Sequence, residues 1–98
     1  MDTLKIIRHE DFGACLKQPF RISLEGAAFA IELVNVDIWG ESQADRRQPF
    51  SLTFRGPSNP VLSQRIYALE NPTLGTLEIF LVPISPDNQG MRYEAVFS

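Results

Sequence analysis

From Phe20 onward, apolar side chains recur at every second position in short runs separated by clusters of Gly, Pro, Asn and Asp. That period belongs to strands with one covered face, and the clusters between the runs carry turn chemistry. Phe20, Ile22 and Leu24 point one way and Arg21 and Ser23 the other, which predicts the first strand. Glu25-Gly26-Ala27 turns the chain into a long run, Ala28 to Trp39. Its apolar positions are Phe29, Ile31 and Leu33, then Val34, Val36 and Ile38. The parity flips between Leu33 and Val34. An extra residue opposite a single partner restores the inward set, so a β-bulge or sharp bend is predicted at Leu33, Val34 and Asn35.

Residues 40–49 are polar and read as an exposed loop. Phe50, Leu52 and Phe54 mark a third strand, which Gly56-Pro57-Ser58-Asn59-Pro60 terminates, and Val61-Leu62 can tuck a loop edge onto the core. Arg65 to Glu70 is the fourth strand and Asn71-Pro72-Thr73 the next turn. Leu77 to Ile84 is apolar at nearly every position after Glu78, the pattern of a central strand covered on both faces, with Pro83 near its end. Ser85 to Gly90 reads as a hairpin loop. Met91 to Phe97 closes the chain with Tyr93, Ala95 and Phe97 on one face. Ahead of the strands, His9 to Leu16 is the one helical candidate, with Phe12, Cys15 and Leu16 at spacings of three and four and acids near its start.

The prediction is therefore a single all-β domain over residues 1–98. About six antiparallel strands form a small barrel-like sheet or sandwich, preceded by one short N-terminal helical turn. With 98 residues, 44% of them hydrophobic and 21% charged, the chain can bury one core and lies far from the composition of disordered segments. Its 12 acidic residues outnumber the 9 basic ones, giving a formal charge of −3, and only Arg46-Arg47 are adjacent cations. A phosphate-binding surface needs clustered cations, so nucleic acid is not an expected partner. Charges interrupt the first ten residues before a signal-peptide core forms, and no apolar run approaches membrane-spanning length. The lone Cys15 cannot form an intrachain disulfide. These features set the expectation of a soluble, cytoplasmic protein with no membrane partner.

Candidate chemistry is sparse. His9 and Cys15 lie six residues apart in one short segment, with no third ligand for a metal and no geometry for a nucleophile and its base. No Gly-x-Ser-x-Gly turn or phosphate-cradling glycine loop is present. Glu32, Asp37, Glu78 and Glu94 alternate with apolar neighbours, as solvent-facing strand residues do. No catalytic, metal-binding or cofactor-binding residue is predicted, and no cofactor. Gln64 and Tyr67, beside the proline-rich loop, have the polar groups to tie that loop to the sheet. Trp39, Arg46, Arg47 and Arg55 are the interaction candidates, since Trp and Arg are enriched where interfaces draw their energy.

The ordered set Leu24-Glu25-Gly26, Phe50-x-Leu52-x-Phe54-x-Gly56-Pro57, Gln64-x-x-Tyr67, Leu74-Gly75, Phe80-x-x-Pro83 and Tyr93-x-x-x-Phe97 resembles a family of small bacterial domains of unknown function. The likeness covers most of the chain after Phe20. It implies no established activity, substrate or active site, and a bacterial gene set near genes for phage-tail-like assemblies.

The functional expectation is a non-enzymatic interaction or assembly module. It would present loops, or an unpaired strand edge with few lysines to blunt it, to a protein partner or to another copy of itself. A small ligand-binding β-barrel lined by the seven phenylalanines and two tyrosines is the alternative. An enzyme built from Arg55, Tyr67 and a distant carboxylate is the least favoured class.

Overall fold

A computed structural model describes residues 8–24, 26–39 and 48–97. One short helix, α1 (His9–Gly13), precedes six strands: β1 (Pro19–Leu24), β2 (Ala27–Ile38), β3 (Phe50–Gly56), β4 (Arg65–Asn71), β5 (Gly75–Asp87) and β6 (Gly90–Phe97). All neighbouring strands are antiparallel, and they close into a barrel in the order β1-β2-β3-β6-β5-β4. Closure gives every strand a neighbour on each side, although not along its whole length.

Two long strands carry the curvature. The first half of β2 pairs with β1, from Leu24↔Ala27 to Pro19↔Glu32, and its second half pairs with β3, from Glu32↔Arg55 to Ile38↔Phe50. The register slips between Leu33 and Asn35, where the parity of the apolar positions flips. Strand β5 repeats the device. Gly75 to Leu81 pair with β4 and Val82 to Asp87 with β6, with a second slip between Pro83 and Ser85. Each slip lets one strand turn from one neighbour to the next while keeping its apolar set inward.

Two sequence expectations need correction here. A closed barrel has no central strand, and β5 is covered on one face only: Ile79 and Leu81 are buried, whereas Phe80 and Ile84 are about half exposed. The unbroken apolar run hid this because its outward positions are apolar too. The residues expected to form a loop after Ile84 instead extend β5 to Asp87. Pairing of Asp87 with Gly90 leaves only Asn88-Gln89 as the turn.

The interior is filled by alternate residues of every strand. Phe20 meets Phe54 edge-on at 5.3 Å, and Phe50 stacks on Phe97 at 4.8 Å. Helix α1 plugs that end. The Asp11 carboxylate accepts the Arg8 N–H at 2.9 Å, holding the helix start, and Phe12 lies 5.9 Å from Phe50 and 5.5 Å from Phe97. Toward the opposite end of the β3–β6 pair, Leu62 tucks inward and its N–H donates to the Tyr93 hydroxyl at 2.8 Å. There β3 and the β5–β6 hairpin approach so closely that a Cβ on Gly90, whose φ is +151°, would stand 2.1 Å from the Gly56 carbonyl oxygen.

Candidate functional site

Because alternate strand residues face outward, direct cross-strand partners build rows of side chains on the barrel wall. One row is charged. Glu32 on β2 lies opposite Arg55 on β3, Arg55 opposite Arg92 on β6, and Arg92 opposite Ser85 on β5. Arg55 donates from Nε and Nη2 to Asp87 Oδ2 at 3.0 and 2.7 Å. Asp87 also accepts the Gln89 N–H at 2.9 Å. The bond from Arg55, with help from Gln89, holds the Asp87 carboxyl below the usual carboxylate range. In turn the bond to Asp87, reinforced by the charges of Asp87 and Glu32, holds the guanidinium above its already high value. Arg92 Nη2 donates to the Ser85 hydroxyl at 2.7 Å, while its buried Nε has no acceptor among the described residues.

Two open cavities flank the outward faces of Pro19 and Ala30. One, of about 360 Å³, runs past Glu32, Arg55, Pro57 and Gln89. The other, of about 510 Å³, lies beside Arg21, Glu70, Pro72 and Thr76. The Arg21–Glu70 ion pair at 3.1 Å crosses the wall there, with both side chains largely exposed.

A second row is apolar. Ile66 on β4 is the direct partner of Phe80 on β5, and they are 60% and 48% exposed. Val96 follows Glu94 on the outer face of β6, just as Phe80 precedes its partner Val82 on β5, and Val96 is exposed as well. Ile84, the extra residue of the β5 slip, adds another exposed apolar group.

The residues singled out from sequence fall in different places. Arg55 joins the charged row. Trp39 is exposed where β2 ends, its N–H bonded to the Pro49 carbonyl at 3.0 Å. Arg46 and Arg47 lie outside the described residues. Tyr67 is buried, donates its hydroxyl to the Ser63 carbonyl at 2.6 Å and carries the Arg65 guanidinium 5.3 Å above its ring. Gln64 is exposed, and the hydrogen bonds described for the proline-rich loop come from Tyr67 and Tyr93. His9 sits edge-on to Phe50 at 6.2 Å. Among the described residues, no group of three or more His, Cys, Asp or Glu is placed to hold a metal. Likewise, no helix among them is long and apolar enough to cross a membrane.

Sequence reasoning missed Asn71, the buried polar residue that fastens β4 to the start of β1. Its Oδ1 accepts the N–H groups of Thr73 and Leu74 at 2.8 and 3.0 Å and the Cys15 thiol at 3.6 Å. Its Nδ2 donates to Gln18 Oε1 and the Pro19 carbonyl, both at 3.2 Å. An Asn before Pro announces a turn, and that local meaning conceals the reach to residues more than fifty positions away.

A family model described as a domain of unknown function (DUF6916) matches residues 7–97. No curated protein and no solved structure matches the chain.

Proposed function

We propose, from the premise that the chain belongs to the DUF6916 family of unknown function, that it works as a non-enzymatic interaction or assembly module whose outer wall binds protein. The observation that carries this reading is the exposed cross-strand pair Ile66 and Phe80, extended by Val96 and Ile84. Large apolar side chains scattered singly on a surface need no partner, whereas several gathered on adjoining strands lose unfavourable hydration when a partner covers them. The charged row with Arg55 would then supply specificity more than affinity, since complementary charge selects and steers a partner more than it tightens binding. A bacterial, cytoplasmic setting and service in a phage-tail-like assembly complete the proposal. They rest on the sequence resemblance and on the chain's charge pattern.

The interaction reading is preferred to the ligand-binding barrel because Phe20, Phe50 and Phe54 are fully buried in the interior, and the cavities beside Pro19 and Ala30 open on the outer wall. Cross-linking mass spectrometry in the native host, with wild type and Phe80→Ser, tests the interaction reading. Cross-links from Glu78 or Glu94 to a protein, weakened in the variant, are the expected result. A wild-type protein that gives no cross-link from this wall overturns it.

A further inference from the structure

The barrel is closed unequally. Strand β4 pairs with β5 along its whole length, from Arg65↔Leu81 to Asn71↔Gly75, but with β1 only at Glu70↔Arg21 and Leu69↔Ile22. Along the other edge of β4, Arg65 to Ala68 therefore have no strand partner among the described residues, and Arg65, Ile66 and Ala68 are exposed. An edge of this kind presents main-chain donors and acceptors at alternate residues, ready for an extended chain. Beside it lies the apolar pair Ile66 and Phe80.

We infer that this free half of β4 pairs with the same segment of a second copy, antiparallel about a twofold axis at Ile66. The inference rests on the interaction reading above and names its partner. The axis follows from the register. Antiparallel pairing that keeps the outer faces of both copies on one side places residues of equal parity opposite each other. An axis at Tyr67 would put Arg65 opposite Leu69, a position already held by Ile22 of β1. An axis at Ile66 uses Gln64 to Ala68 and leaves Leu69 and Glu70 with β1. Side chains then match: Ile66 meets Ile66, and the outer row reads Phe80, Ile66, Ile66, Phe80 across the two copies. On the inner side Arg65 faces the partner's Tyr67, the ring type it already covers within its own chain. Gln64 faces Ala68, so no like charges oppose each other at the pairing.

The test uses the full 98-residue chain. Sedimentation velocity over a concentration series is expected to show a monomer–dimer equilibrium, and Ile66→Lys, which places two ammonium groups at the axis, is expected to raise the dissociation constant at least tenfold. Because Ile66 is exposed, circular dichroism of the variant should match wild type. Ile66→Cys gives an independent reading: directly opposed strand residues lie within disulfide reach, about 4.5–5.5 Å between Cα atoms. Mild oxidation should therefore yield covalent dimer, while Asp37→Cys, on an exposed stretch of β2, should not. A wild-type chain that stays monomeric overturns the inference, as does a dimer that survives Ile66→Lys or resists cross-linking through Ile66→Cys. If instead the chain is monomeric while Phe80→Ser abolishes cross-links to another protein, the interaction reading stands and self-pairing falls.

Discussion

The β3–β6 and β1–β4 pairs both belong to one closed wall, yet they are built from different materials. Along β3–β6 the register runs unbroken from Phe50↔Phe97 to Gly56↔Met91, and inward partners such as Leu52 with Ala95 and Phe54 with Tyr93 interlock in the core. Phe12 seals one end and Leu62, held by Tyr93, the other. The β1–β4 pair has two residue positions, an exposed ion pair and the hydrogen bonds of Asn71. Topological closure thus says little about how strongly a seam is held. Apolar burial supports the first seam along its whole length, whereas the second has one buried apolar pair, Ile22 with Leu69, and the polar fastening of Asn71.

If that contrast is right, Phe54→Ala should be the most damaging change, costing about 4 kcal/mol through lost burial and a residual cavity. Urea melts read it directly, and a loss under about 1 kcal/mol would show that the β3–β6 core carries less than its packing implies. Asn71→Ala should cost about 2 kcal/mol, since it leaves the N–H groups of Thr73 and Leu74 and the Pro19 carbonyl without their partner. Hydrogen exchange should show that loss at β1 and β4 while β3 and β6 keep their protection.

The Arg55–Asp87 pair, at the well-built end of the barrel, predicts a pH dependence. Asp87 has a folded pKa below its unfolded value of about 3.9, so its contribution is complete above that value and disappears as pH falls through the folded one. Asp87→Asn should therefore be less stable than wild type at neutral pH, with the gap narrowing in acid. Melts at pH 7 and pH 3 decide it, and a gap independent of pH would refute the assignment. The smallest effect belongs to Arg21 and Glu70, whose exposed pair should show a coupling of about 0.5 kcal/mol in a double-mutant cycle. Salt should screen that coupling further.

What the sequence disclosed depended on whether faces differ in polarity. The slip at Leu33 was readable because polar residues flank the parity flip, whereas the slip at Ile84 was not, since Phe80, Val82 and Ile84 are apolar on the outer wall as well. Strand boundaries at Gly56 and Asn71 followed from turn chemistry. The site was harder. Arg55 stood out as a candidate, but Asp87 is 32 residues away and Arg92 is brought alongside only by the β3–β6 register. Gln64 had the right polar groups for the loop, yet the two tyrosine hydroxyls reach it from rings anchored in the core. Side-chain chemistry announces capability, and the choice among capable residues is made by register.

The closing pair of strands also has a bearing on how the chain reaches this form. Hairpins such as β5–β6, turning on Asn88-Gln89, join neighbours in sequence, whereas Arg21 and Glu70 lie 49 positions apart. Bringing such distant segments together costs chain entropy before only two residue pairs offset it. The wall should therefore assemble as a nearly complete curved sheet, and β1 should dock on β4 after the rate-limiting barrier. Substitutions at that junction would then hasten unfolding and leave the folding rate almost unchanged. A newly made chain would pass through a moment in which the whole edge of β4, and not only its first half, is open to whatever strand is nearby.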